Sequence, residues 1–190
     1  NQLYYPQYGN PTTQPEEGRN FEVGATYVIG AHEIKVTRFD QRIQGFITTL
    51  PAVENVPKVR IDGWTIAYQT ELGGLNLKTS LDLLNPRNVS NDLLLNRRAK
   101  TQLSLDASYQ MGAWTLGSNL QSLSKRFDDS QNTVELAAYT TADMYVNYQV
   151  NKDWAVKAKV NNLMDKAYET ALGYNQAGRS YYLSLNYSPK

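Results

Sequence analysis

Leu75-Asn76-Leu77-Lys78-Thr79-Ser80-Leu81-Asp82-Leu83 sets Leu75, Leu77, Leu81 and Leu83 on one side and Asn76, Lys78, Ser80 and Asp82 on the other. A period of two places each set on its own face of a sheet. Two further stretches repeat the pattern. Leu103, Leu105, Ala107 and Tyr109 oppose Gln102, Ser104, Asp106 and Ser108, and Trp154, Val156, Ala158 and Val160 oppose Ala155, Lys157, Lys159 and Asn161. Extended segments are expected at residues 19–29, 32–49, 56–72, 75–84, 97–110, 114–126, 139–150, 154–162 and 180–187.

Alternation alone also suits a soluble sandwich with one wet face, so the connections decide. Tight links are expected at Gly30-Ala31, Gly73-Gly74, Met111-Gly112-Ala113 and Asn151-Lys152-Asp153, all rich in residues that accept hairpin geometry. The intervening links, 50–55, 85–96, 127–138 and 163–179, are longer and occupy every second position. One end of the sheet therefore carries turns and the other carries loops, the asymmetry of an outer-membrane barrel with short periplasmic turns and long extracellular loops. The chain reads as all-β, an antiparallel transmembrane β-barrel portion of nine to ten strands with its C-terminus on the periplasmic side. Tyr27, Trp114, Tyr148, Trp154 and Tyr187 lie near the tight turns or the C-terminus, where a membrane-interface girdle belongs. Fourteen tyrosines in 190 residues suit that use.

Composition narrows the classes. With 41% apolar and 19% charged residues, no run approaches the roughly 20 apolar residues of a membrane helix. A net charge of +1 without a basic tract argues against nucleic acid as a partner. The chain has no cysteine, so disulfides and thiolate metal sites are excluded. Asp128-Asp129 lacks the neighbouring oxygen ligands that calcium requires, and no metal or cofactor is expected.

Two motifs carry a family resemblance. Asn10-Pro11-Thr12-Thr13-Gln14-Pro15-Glu16, with Glu22 and Gly24 after it, resembles the Asn-Pro-x-Leu-x-Pro-Glu stretch of TonB-dependent outer-membrane receptors, with Thr13 in place of Leu. Asn162-Leu163-Met164-Asp165-Lys166-Ala167-Tyr168 is similar to the Asn-Leu-Phe-Asp-Lys-x-Tyr element of the same family. Leu94-Leu95-Asn96-Arg97-Arg98-Ala99-Lys100, with one residue inserted, resembles a stretch of the vitamin B12 (cobalamin) receptors of that family. So do Tyr168-Glu169-Thr170, Gly173-Tyr174 and Ala177-Gly178-Arg179 near the end. The chain departs from the family in ending Tyr187-Ser188-Pro189-Lys190 rather than on an aromatic residue.

The resemblance implies the C-terminal part of a barrel of about 22 strands, with the N-terminal plug domain and first strands lying outside this chain. A self-closed small barrel and a two-chain barrel are physical alternatives. It further implies a Gram-negative outer-membrane location among lipid and lipopolysaccharide, capture of cobalamin or a related metal chelate as cargo, and TonB engaged through the N-terminal half. Arg97, expected to open a strand at the loop end, matches an arginine that faces cobalamin in the family. Asn96, Asn85, Arg87, Tyr174 and Gln176 are the other ligand candidates, in loops. Asn10, Pro11, Pro15, Glu16, Asn162, Leu163, Asp165, Tyr168, Gly178 and Arg179 are expected to be structural.

Other classes carry less. A serine hydrolase needs a base, and the single histidine, His32, sits beside a tight turn with no serine arranged near it. Glu33, Asp40 and Asp62 are the carboxylates that a barrel enzyme could bring together in the lumen. A passive channel or adhesin shares the alternation and the loop asymmetry, and only the family motifs separate it from a receptor.

Overall fold

Eleven strands follow one another in the computed structural model, which describes residues 9–48 and 52–189: β1 (Glu17–Ile29), β2 (His32–Thr48), β3 (Glu54–Leu72), β4 (Leu75–Asn88), β5 (Thr101–Met111), β6 (Trp114–Leu123), β7 (Arg126–Phe127), β8 (Glu135–Leu136), β9 (Tyr139–Gln149), β10 (Trp154–Asn161) and β11 (Ser180–Tyr187). Nine form one antiparallel sheet in the order β1-β2-β3-β4-β5-β6-β9-β10-β11, and β7 pairs with β8 as a small hairpin inside a loop. There is no helix among the described residues. Every large strand pairs with its sequence neighbours, so β1 and β11 are the two edges.

The tight turns stand where the glycines predict. Gly73 (φ 56°) and Gly74 (φ 85°) both occupy the left-handed region that a two-residue hairpin demands. Met111 pairs with Trp114, which contracts that turn to Gly112-Ala113. Asn151 closes the last tight turn, its Oδ1 accepting the Asp153 and Trp154 amides at 3.0 Å each.

Most expected boundaries hold to within about two residues, and three move further, each for a local reason. β4 runs on to Asn88 because its ladder with β3 continues to Val59↔Asn88, so Asn85 and Arg87 lie in a strand rather than a loop. β5 opens at Thr101, not at Arg97, because Arg97 holds φ 58°, which no strand accommodates. The expected strand at 114–126 stops at Leu123, and Arg126 belongs to the β7–β8 hairpin. Residues 49–51, at the expected strand end and first loop, lie outside the described residues.

Register separates two chemically distinct faces. On one, Ala25, Val36, Ile66, Leu81 and Leu103 align across five strands. On the other, Glu33, Gln69, Lys78, Asp106, Asn119 and Asp143 align across six. The polar face satisfies itself, with Thr65 Oγ1 donating to Asp82 at 2.6 Å, Asn119 Nδ2 to Asp106 at 2.6 Å and Lys159 paired with Asp143 at 3.2 Å. The apolar face stays open: Phe21 is 68% exposed, Leu183 79% and Leu185 63%. The buried cluster of Ile43, Val59, Ile61 and Leu95 sits at the loop end, where the connection after β4 folds back.

Candidate functional site

The long connections at one end of the sheet hold on to each other. Between β4 and β5, Leu95 inserts into the Ile43, Val59 and Ile61 cluster, and its amide donates to Pro86 O at 3.0 Å. The same segment is stapled to the β6–β9 connection. Asn132 Oδ1 accepts the Leu94 amide at 2.8 Å while its Nδ2 donates to Leu94 O at 2.9 Å, so one amide side chain mimics a strand partner across two loops. Asn132 adopts φ 58°, a conformation that Asn tolerates better than most residues.

Arg97 adds two bonds to that junction. Its amide donates to Phe127 O at 2.6 Å, and its Nε donates to Asp128 Oδ1 at 2.6 Å. The Arg97 guanidinium holds the Asp128 carboxyl below the usual carboxylate range. Beside it, Asp129 caps the hairpin: its carboxylate accepts the Val134 and Thr133 amides and the Thr133 hydroxyl, which lowers its pKa to about 2. Both carboxylates are thus engaged by protein donors.

A third loop, after β10, joins through Arg126. Its Nη2 donates to Glu169 O at 2.7 Å, its guanidinium lies over the Tyr139 ring at 5.3 Å, and Tyr139 packs against Tyr168 at 4.3 Å with the rings tilted by 33°. Arg126 is 3% exposed. A buried cation held by a carbonyl and an aromatic face fixes the two loops against each other.

The Asn162–Tyr168 stretch acquires a physical meaning here. Asn162 (φ 48°) donates from Nδ2 to Lys166 O at 2.9 Å and Ala177 O at 3.2 Å, while its Oδ1 accepts the Lys166 amide at 2.9 Å. Asp165 (φ 52°) accepts the Arg179 amide at 2.8 Å, and a Cβ on Gly178 would lie 2.9 Å from the same oxygen. Asn162, Asp165, Tyr168, Gly178 and Arg179 therefore meet in one folded loop. Leu163 and Met164, just past the end of β10, stay exposed, with the Leu163 amide donating to Ala142 O at 2.7 Å.

At the start of the chain, Asn10 Nδ2 donates to Val53 O at 2.9 Å, Glu16 accepts the Ile47 amide at 2.6 Å, and a Cβ on Gly45 would lie 3.2 Å from Pro15 O. Pro11 opens the turn that Thr13 N closes onto Asn10 O. The segment braces the β2–β3 connection.

The family model described as TonB-dependent receptor-like β-barrel matches residues 1–163. The chain belongs to the TonB-dependent receptor β-barrel family. Among curated proteins it is similar to a vitamin B12 transporter, BtuB, of Photobacterium profundum, with 30% identity over 98% of this chain and 32% of that protein. Similar too is the BtuB vitamin B12 transporter of Vibrio vulnificus, at 28% over 98% of this chain and 32% of that one. The chain thus spans about a third of the length of these relatives. Among solved structures, the pyoverdine outer-membrane receptor FpvA of Pseudomonas aeruginosa PAO1 superposes with a TM-score of 0.76 at 20% identity, over 99% of this chain and 32% of that one. At that identity the likeness concerns the fold.

On this TonB-dependent receptor barrel fold the ligand candidates divide. Arg97, Asn96, Tyr174 and Gln176 lie in the interlocked loops, with Tyr174 69% exposed and Gln176 Nε2 bonded to Thr170 Oγ1 at 3.0 Å. Asn85 and Arg87 lie instead on β4, on the same side as Leu81 and Leu83. The carboxylates named from the sequence do not converge, because Glu33 lies on the polar face whereas Asp40 and Asp62 pair on the apolar one. His32 is hydrogen-bonded to Tyr68 Oη at 2.9 Å.

Tyr27, Trp114, Tyr148, Trp154 and Tyr187 all lie on the apolar face at the turn end, with Trp114 against Tyr148 at 4.4 Å and Trp154 against Tyr187 at 4.5 Å. Sequence reading missed Asn132 and Arg126. The Asp128-Asp129-Ser130-Gln131-Asn132 run held a signal, since side chains that cap their own turns cluster in such stretches. Arg126 had none, its role being defined by a residue 43 positions away.

Proposed function

We infer that this chain is the C-terminal barrel portion of an outer-membrane active-transport receptor, whose plug and first strands belong to the rest of the protein. The receptor captures cobalamin or a related metal chelate at the cell surface and draws on TonB for the energy of uptake. The observation that carries the reading is the mutual locking of three long loops at one end of the sheet by Asn132, Arg97 and Arg126. A passive channel needs no such fixed surface, whereas a receptor gains affinity from groups already held in place.

The membrane placement rests on the apolar face. Phe21, Val23, Ala25, Tyr27 and Ile29 of β1 point the same way, a span of about 26 Å along the strand at ~3.3 Å per residue. That is near the roughly 25 Å apolar band of an outer-membrane barrel. The aromatics at the turn end then sit at the periplasmic interface and the loops face outward. The polar face lines the lumen, and β1 and β11 continue into the remaining strands, which removes both edges. The chemistry is recognition and translocation, with no bond made or broken.

Cobalamin is favoured over other chelates by the vitamin B12 transporters among the relatives and by the Leu94–Lys100 and Tyr168–Arg179 stretches. Arg97, Asn96, Tyr174 and Gln176 are the groups in this chain that would meet it, a guanidinium suiting its amide and phosphate oxygens. Titration calorimetry of cyanocobalamin into the intact receptor in detergent tests the reading, with the refolded chain alone as a second sample. Saturable binding by the intact receptor is expected. A folded receptor that ignores cyanocobalamin but binds a ferric chelate would overturn the cargo and leave the receptor standing.

A further inference from the structure

Four arginines stand side by side across four adjacent strands. Register pairs Arg19 with Arg42, Arg42 with Arg60 and Arg60 with Arg87. All four belong to the apolar side of the sheet, in the row two above Val23, Arg38, Trp64 and Leu83 and one above Phe21, Asp40, Asp62 and Asn85. With strands about 4.8 Å apart, the row extends roughly 14 Å.

Like charges directly opposite one another destabilise a sheet. Carboxylates offset part of that cost. Asp40 accepts both Arg60 and Arg42 at 2.9 Å, Asp62 holds Arg38 at 2.6 Å, and Asp92 meets Arg87 at 3.1 Å. The carboxylates of the row beneath anchor the guanidiniums from below, leaving the Arg42 side chain 68% and the Arg60 side chain 43% exposed. Arg19 is exposed and has no ion-pair partner among the described residues. Counting Lys58 and Glu17 from the next row, six cations face four anions on this patch.

Beside and below those carboxylates the surface turns apolar on either side of Arg38. Phe21 is 68% exposed, Val23 57%, Trp64 47% and Leu83 40%. A surface that is apolar below and cationic above, with guanidinium donors in fixed positions, complements an amphiphile whose headgroup carries phosphate, because planar guanidinium forks suit phosphate oxygens. The geometry points to a binding site for a phosphate-bearing lipid of the outer leaflet, its acyl chains on Phe21, Val23, Trp64 and Leu83 and its phosphates on Arg19, Arg42, Arg60 and Arg87. The inference rests on the outer-membrane reading above and deepens it by fixing where the barrel grips its surrounding leaflet.

Native mass spectrometry of the delipidated intact receptor tests the site, with diphosphoryl lipid A, dioleoylphosphatidylcholine and inorganic phosphate as three separate probes. The wild type is expected to retain diphosphoryl lipid A at a concentration at least tenfold below that needed for the zwitterionic lipid, and to retain no inorganic phosphate. Arg19→Gln with Arg87→Gln, which leaves the Asp40 grip on Arg42 and Arg60 intact, should weaken lipid A retention about fivefold, and replacing all four should abolish the preference. Cyanocobalamin binding is read on the same samples, so that a failed receptor reading and a failed lipid site give different results.

Undiminished lipid A retention by the four-Gln variant, correctly folded by heat-modifiable mobility, would overturn the site. So would equal retention of the zwitterionic lipid, or displacement of lipid A by millimolar phosphate, which would make free phosphate the ligand.

Discussion

Replacing Arg97 separates two roles that its position allows. In one, Arg97 touches the cargo; in the other, it only clasps the loop after β4 to the loop after β6 through Asp128 at 2.6 Å. Alanine carries the same Cβ, so the backbone cost at φ 58° is unchanged and drops out of the comparison. The Arg97 side chain is 37% exposed, so solvent screening limits the ion pair to about 1 kcal/mol, roughly fivefold in an equilibrium. If Arg97 is only a clasp, Arg97→Ala and Asp128→Asn each weaken cyanocobalamin binding about fivefold, and the double variant is no worse than either. If Arg97 donates to the cargo, its loss removes a charged hydrogen bond of about 1.5–3 kcal/mol, roughly 10- to 150-fold, whereas Asp128→Asn costs fivefold or less. Calorimetry on the four proteins of the cycle decides. The contact role is expected; equal, non-additive losses would assign Arg97 to the clasp, and wild-type affinity throughout would refute both.

The hairpin capped by Asp129 should loosen in acid. Its folded pKa of about 2, and the lowered one of Asp128, lie below the unfolded carboxylate value, so their stabilisation is complete above about pH 4. It is lost as pH falls through the folded values, and exchange protection of the Thr133 and Val134 amides, corrected for intrinsic rate, should decline between pH 4 and 2. Gly117→Ala should cost about 1–3 kcal/mol by overpacking, because its Cβ would lie 2.1 Å from the Tyr145 ring. Adding Tyr145→Ala should recover part of the loss in urea midpoint, and simple additivity would count against this contact. For Asn162, buried and left-handed at φ 48°, Gly should be tolerated better than Ala by about 1 kcal/mol, since only Gly relieves the backbone while both lose the side-chain bonds. Thermal melts ordering the wild type first, Asn162→Gly second and Asn162→Ala last are expected, and the reverse order of the two variants would refute it.

The strands were legible because a sheet with one apolar and one polar face writes its period directly into the chain. Leu75 to Leu83 carry that period without interruption. Where the prediction strayed, local chemistry had changed the rules. Asn85-Pro86-Arg87 looks like a loop because Pro cannot donate to a ladder, yet Pro86 sits at the loop end, where its carbonyl serves the Leu95 amide and the β3 pairing continues past it. Arg97 looks like a strand opening because it precedes alternating residues, yet a positive φ leaves no mark on composition when the residue is not Gly or Asn.

The site was legible only where a residue acts on its near neighbours. Asn162, Asp165, Gly178 and Arg179 form a recognisable motif because their contacts span at most 15 residues of chain, so the same few positions must hold together wherever that loop occurs. Asn132 with Leu94 and Arg126 with Glu169 are separated by 38 and 43 residues, and such pairs are set by strand register rather than by local spacing. The arginine row is the extreme case. Arg19, Arg42, Arg60 and Arg87 look unrelated in sequence, and only the hairpin turns between their strands bring them level. A one-residue slip in any of the three registers would send an arginine to the opposite, polar face and break the row. The same turns that fix the apolar band therefore fix the cationic row above it.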